Sequence, residues 1–465
     1  MISSPPALAL LVAALARYAF EIPAQQVGTN TKEVHPPLIS SRCSKTNGCV
    51  PEATSIVLDA NWRWLHQVGD SKSCYSGNQW DPTLCSSPKA CAQNCALEGA
   101  GYQGTYGITT SGEELKLNLV TRDQYGTNVG SRVYLLDAEG SKYKQFKLLN
   151  QEFTLDLDVS NLPCGLNGAL YFVQMDTDGG SSRFPSNQAG ASYGTGYCDA
   201  QCPHDIKFIN GEANSLEWGL ATSQNEGGGK YGACCAELDI WEANSMSNAF
   251  TSHPCLSEGL LRCSSPEECG SGEGHRYKGV CDKDGCDFNP FRMGNTTFYG
   301  PGPHFTIDTT RTFTIVTQFI TSDGTATGDL VEIRRLFKQD DRIVAMPQSN
   351  WSNLDNVNSI TDSMCDNSKA FFNDPNDHAA KGGLLRMGKQ LANGMTLVMS
   401  LWSDHAAYCL WLDSSFPAEA DSTRPGVKRG SCPTSGGRPA EVEFQHPDAN
   451  VKFMNIRVGD IGSTY

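Results

Sequence analysis

Alternation of apolar and polar residues with a period of two runs through much of the chain. Leu115, Leu117 and Leu119 alternate with Lys116 and Asn118; Phe153, Leu155, Leu157 and Val159 alternate with Thr154, Asp156 and Asp158. Phe313, Ile315, Thr317 and Phe319 alternate with Thr314, Val316 and Gln318. Successive side chains of a strand point to opposite faces, so each stretch predicts a half-buried antiparallel strand. No long amphipathic helix competes with them, and the Cys91–Leu97 stretch predicts at most a short one. The 46 glycines and 23 prolines supply turns. An all-β fold of two packed antiparallel sheets follows. Two regions lack the pattern. Leu256–Asp287 is rich in Cys and Gly and predicts a long disulfide-fixed loop, and Asn350–Lys381 predicts a second. Long ordered loops are commonly functional, often lids.

The most informative strand is Cys234-Cys235-Ala236-Glu237-Leu238-Asp239-Ile240-Trp241-Glu242-Ala243-Asn244. Leu238 and Ile240 take one face, so Glu237 and Asp239 share the other. On a regular strand Glu242 would point away from them. One inserted residue, a β-bulge, would bring it back, and bulges are common beside active sites; an irregularity is therefore predicted between Asp239 and Glu242. Two carboxyl groups about 5–5.5 Å apart suit a retaining glycosidase, one as nucleophile and one as acid/base. A third acid beside the nucleophile could share its proton and orient it. The competing reading is a solvated acidic strand end.

Charge and cysteine content narrow the setting. The formal net charge of −15 over 465 residues argues against nucleic-acid binding. Length alone suggests about three domains, but β-sandwiches run long as single domains, and one domain over residues 25–465 is expected, with neither repeat nor Pro/Ser/Thr-rich linker inside it. Nineteen cysteines point to an oxidising compartment, and no paired zinc-type CxxC spacing occurs. Cys234 and Cys235 face opposite ways and need separate partners, for which Cys198 and Cys202 are close enough together. The apolar run Ala7–Ala16 fits the core of a secretion signal, without a basic flank, and is too short to span a bilayer. Cleavage could follow Ala16 or Ala24. Sequons at Asn295 and Asn350 agree with secretion.

Aromatic residues extend the acid strand into a candidate cleft. Met395, Leu397, Met399 and Leu401 take one parity; Thr396, Val398, Ser400 and Trp402 take the other, polar one. Trp62 and Trp64 likewise share a face. Flat rings there can stack on sugars, although a tryptophan is more often plain packing.

Glu237-Leu238-Asp239-Ile240-Trp241-Glu242 resembles the motif of glycoside hydrolase family seven, and the resemblance runs from about Gln25 to Tyr465. Supporting segments are Val57–Trp64, Cys91–Leu97, Gly194–Asp199 and Leu410–Ser414. It implies a concanavalin-like β-sandwich, a jelly roll whose disulfide-fixed loops roof a cleft or tunnel. It implies retaining hydrolysis of β-1,4-glucan with no cofactor; a monomer is expected, with no metal in the site and with neither a membrane nor a nucleic-acid partner, while a surface metal ion is left open. By position, Glu237 resembles the nucleophile, Glu242 the acid/base, and Asp239 the residue that tunes the nucleophile. His253 resembles a histidine near the leaving-group sugar. Trp62, Trp64, Trp402 and Trp411 resemble stacking platforms. Arg132, Tyr171, Asp199, Gln201 and Lys207 match polar cleft positions, and Arg276, Asp284, Asp287 and Arg429 match the product side.

The resemblance further implies nine disulfides: 43–49, 74–95, 85–91, 164–432, 198–235, 202–234, 255–281, 263–269 and 286–365, leaving Cys409 free. It makes Gln25 the mature first residue, removing residues 1–24, and no cellulose-binding module is expected. The retained loop regions favour a secreted, processive cellobiohydrolase working from reducing ends over an endoglucanase of the same family. His405 and Ala406 stand where many members carry tyrosines, and the tyrosine that often faces them is missing from Gly270–His275, which implies a looser roof. A laminarinase-like hydrolase shares the Glu-x-Asp-x-x-Glu spacing; a lectin-like binder would not need a proton donor.

Overall fold

The computed structural model describes residues 25–219, 227–354 and 357–465. The expected secretion signal, residues 1–24, lies outside them. Two large, mainly antiparallel sheets carry the fold. In the inner sheet the strand order is Cys286–Phe288, Asn248–His253, Glu237–Ala243, Leu166–Val173, Met395–Ser403, Ser131–Leu136 and Ser55–Leu58. The outer sheet runs Arg342–Ala345, Leu330–Gln339, Phe313–Thr321, Gln151–Asp158, Asn450–Asp460, Glu114–Asn118 and Ile108–Ser111.

The alternating residues place the core as the pattern predicts. Leu115, Leu117, Phe153, Leu155, Leu157, Phe313, Ile315 and Phe319 of the outer sheet are buried against Met395, Leu397, Met399 and Leu401 of the inner one, in one cluster. Trp241 sits among Phe313 and Phe337, with ring centroids 5.7 and 6.2 Å away. The other parity of the inner sheet packs partly into a second buried cluster, with Val57, Tyr134, Leu136, Ala169, Val173 and Val398, and it also carries the three acids.

Helices are the main departure from expectation. Asp362–Phe372 and Gly383–Asn393 are α-helices, and the first, with the short Asp377–Ala380, occupies the segment read as a second long loop. Thr361 caps the first helix by accepting the Met364 N–H at 3.0 Å. Leu384, Met387 and Leu391 form the buried stripe of the second. Gly388 lets that helix lie against the outer sheet, since a Cβ there would stand 2.8 Å from Cβ of Leu330. Around Cys91 the chain does form a short helix, Pro88–Asn94, before turning into the strand Cys95–Leu97.

All nine disulfides implied by the resemblance are present, and Cys409 is free and buried. Cys286–Cys365 ties the end of the Cys-rich region to the Asp362–Phe372 helix, so the two pattern-poor regions are one stapled assembly.

Candidate active site

The acid strand is bulged where its carboxylates require it. Against Asn248–His253, Asp239 pairs with Thr251 and Glu242 with Ala249, so Ile240 and Trp241 together face the single residue Phe250. Against Leu166–Val173 the register slips at the same place, from Tyr171–Asp239 to Leu170–Trp241. Leu238, Ile240, Trp241 and Ala243 all go to the core. Glu237, Asp239 and Glu242 are thus left on the opposite, cleft face, as the predicted irregularity requires.

Neighbouring strands add to that face by register. Tyr171, Asp239, Thr251 and Asp287 form one row across the sheet, and Arg132, Ser400, Ala169 and Glu242 another. Glu237 pairs with His253. The disulfides Cys198–Cys235 and Cys202–Cys234 hold the neighbouring loop, whose Ala200 N–H donates to Glu237 Oε2 at 3.0 Å. The sulfur staple therefore delivers a hydrogen bond to the carboxyl group expected to attack.

Burial and repulsion among the carboxylates raise both glutamates. Burial, then the charge of Asp239, pushes Glu242 up to about 8. Asn167 Nδ2 donates to Glu242 Oε1 at 2.9 Å, fixing its direction. Glu237 is also pushed up, by burial and then by Asp239 and Asp199, while the Ala200 N–H favours its ionised form. Asp239 acts on Glu237 through charge; its own partner is His253, whose Nε2 lies 3.0 Å from Oδ2. The other ring nitrogen of His253 meets the Asp282 carbonyl at 2.8 Å. Burial would depress this imidazolium, but the Asp239 carboxylate and Asp282 raise it to about 9. Gly285 makes the close turn above it possible, with φ of +67° and a Cβ position 2.5 Å from the His253 ring.

The remaining candidates fall into three groups. Arg132 bonds Asp59 at 2.8 Å and lies 3.3 Å over the Tyr197 ring and 5.2 Å from the Trp62 ring centroid. Tyr197 donates to Asp199 Oδ2 at 2.6 Å and meets the Tyr171 hydroxyl at 2.9 Å. Gln201 bonds the Lys283 carbonyl at 2.7 Å, and Lys207 donates to the Asn61 carbonyl at 2.6 Å. Trp402 and Trp411 stack with centroids 6.4 Å apart. Trp64 is exposed and lies on His66, 4.3 Å away, outside these contacts. On the far side, Arg276 pairs with Asp284 at 2.5 Å, and Asp287 faces Arg292 at 2.6 Å and Arg429 at 3.8 Å.

A family model described as Glycosyl hydrolase family 7 matches residues 27–465. The chain belongs to glycosyl hydrolase family 7. A GH7 family cellobiohydrolase from Daphnia pulex superposes with a TM-score of 0.93 at 50% identity, over 95% of this chain and all of that one. A cellobiohydrolase from Melanocarpus albomyces, solved with cellotetraose, gives 0.88 at 47% identity, over 95% of this chain and 99% of the other. The Humicola insolens endocellulase EGI gives 0.80 at 35% identity, over 95% of this chain and 100% of the other. The family's β-sandwich jelly roll is the fold described above.

Several residues that hold the candidate side chains are not singled out by the sequence pattern. Asn167 shares parity with Tyr171 inside an otherwise apolar run, a signal that could have found it. Asp59, Tyr197, Asp282 and Arg292 matter only through partners distant in sequence, and nothing local marks them.

Proposed function

We propose that the protein is a secreted cellobiohydrolase that cleaves β-1,4-glucosidic bonds of cellulose with retention, releasing cellobiose processively from reducing ends. The observation that carries this reading is the bulge at Ile240–Trp241, which turns Glu242 onto the face of Glu237 in a family 7 chain. Glu237 attacks the anomeric carbon, and the glycosidic C–O bond breaks as Glu242 passes its proton to the leaving oxygen. Glu242, now a carboxylate, takes a proton from water, which opens the Glu237 ester and restores both groups. Its raised pKa keeps the proton available through mildly acidic and neutral pH. The His253 imidazolium offsets the charge of Asp239 beside Glu237, easing ionisation of the nucleophile.

Trp62, Trp64, Trp402 and Trp411 serve as sugar platforms. Arg132, Tyr171, Asp199, Gln201 and Lys207 bind hydroxyls before the cleavage point; Arg276, Asp284, Asp287 and Arg429 bind the departing cellobiose. Identities of 50% and 47% to cellobiohydrolases against 35% to an endocellulase support the exo reading. The nine disulfides and the two sequons support an extracellular, glycosylated enzyme.

Two measurements test this. Products from crystalline cellulose should be dominated by cellobiose, whereas rapid viscosity loss on carboxymethylcellulose after few cuts would favour the endoglucanase. Glu237→Gln should abolish turnover yet keep glucan binding; substantial residual activity would remove Glu237 as nucleophile.

A further inference from the structure

One residue breaks the apolar face of the Leu330–Gln339 strand. Ile333, Arg335 and Phe337 all point between the sheets, and Arg335 is fully buried there. A guanidinium taken out of water without a counter-ion loses its hydration with nothing to replace it. Burial depresses Arg335 to about 9, and among the described residues no acid counters the effect. A cation kept at such a cost calls for a reason in what it touches.

Its contacts converge on the bulge. Nη2 donates to the Ile240 carbonyl, and Nε donates to Thr317 Oγ1 at 3.2 Å. The guanidinium lies 4.6 Å from the Phe250 ring centroid and 5.8 Å from that of Trp241. Ile240, Trp241 and Phe250 are the three residues that make the bulge, two against one. Ile240 is the extra residue, with no cross-strand partner on either side. A bulge interrupts the ladder, and a buried carbonyl released from it needs a donor. Thr317, the cross-strand partner of Arg335 in the outer sheet, orients the donor.

We propose that Arg335 is a positioning residue: reaching across the sandwich core, it locks the Ile240–Trp241 bulge and so fixes the direction in which Glu242 enters the cleft. The proposal rests on Glu242 being the acid/base. It makes Arg335 matter most where proton donation is most demanding.

Arg335→Met tests it, because Met fills the space without the donors. Replacing a buried charge by an apolar side chain is often neutral for stability. The readout is the ratio of kcat on cellotetraose, a poor leaving group, to kcat on a dinitrophenyl cellobioside, an activated one. A misplaced acid should lower that ratio about 10-fold or more, with KM nearly unchanged. A parental ratio, or equal losses on both substrates, overturns the proposal. Thr317→Val, nearly the same shape, decides the matter if Arg335→Met does not fold: the ratio should fall roughly 2–5-fold, and a parental ratio overturns the proposal. Glu242→Gln in the same assay separates the two layers. If its ratio stays parental, the acid/base reading fails and the Arg335 proposal falls with it. If its ratio drops while that of Arg335→Met does not, only the role of Arg335 is lost.

Discussion

Glu242 and Asp287 are carboxyl groups of the same cleft face, two strands apart, and burial pushes both toward neutrality. They end at opposite extremes. Among the described residues no guanidinium pairs with Glu242, and burial followed by the Asp239 carboxylate raises its pKa to about 8. Asp287 faces Arg292 at 2.6 Å and Arg429 at 3.8 Å, and these hold it down at about 2. One group therefore carries a proton to give, and the other carries a charge to receive hydrogen bonds. Under the proposed function, the neighbouring charges rather than depth would divide chemistry from binding here.

The largest expected effect breaks the first half of that contrast. Glu242→Gln should lower kcat on cellulose about 10²–10⁴-fold, the usual range for a lost general acid. The parent needs Glu242 protonated, so its rate should decline as pH rises through about 8. The residual activity of the variant should lack that decline. A pH–rate profile of both checks the claim, and an alkaline limb that survives in the variant would assign it to another group, with His253 at about 9 as the next candidate.

How much of this was legible beforehand differs between the same two regions. The acid strand was readable because its signals are local: alternation, three carboxyls in six residues, and a spacing that demanded a bulge. The sandwich followed from alternation too. The proposed product side rests only on family resemblance. Its controlling residue, Arg292, lies in a loop and reaches both Asp287 and Asp374. The helix Gly383–Asn393 was legible, since Leu384, Met387 and Leu391 recur at helical spacing, but its opening glycines read as a loop. Arg335 was invisible for a different reason: two adjacent arginines on a strand read as surface charge, and only the second turns inward.

A middle-sized effect breaks the second half. Asp287→Asn keeps the shape but leaves Arg429 without its ion pair, while Asp374 still holds Arg292. Losing a charged partner at a buried site costs about 1–3 kcal/mol. Thermal stability should fall by that order at neutral pH, and inhibition by cellobiose should weaken while kcat on an activated aryl cellobioside changes little. Unchanged cellobiose inhibition would take Asp287 out of the product side.

The smallest effect distinguishes the two carboxyls by the sign of their pH dependence. Asp287 is depressed on folding, so its contribution is present above the ordinary carboxylate range and is lost as pH falls toward about 2. Glu242 is raised on folding, so its contribution is complete below the ordinary range and is lost as pH rises toward about 8. Glu242→Gln removes that loss because an amide does not titrate. Relative to the parent, the variant should therefore gain stability between pH 4.5 and 8, on the order of 1 kcal/mol once the cleft's solvent is allowed for. In a chain of this size that is about 1–2 °C in Tm. Asp287→Asn should show the reverse trend, its deficit shrinking only at strongly acidic pH. Parallel melting curves of the two variants across pH would settle the comparison. Two deficits with the same slope would mean that depth alone governs both carboxyls, and that the arginines merely accompany Asp287.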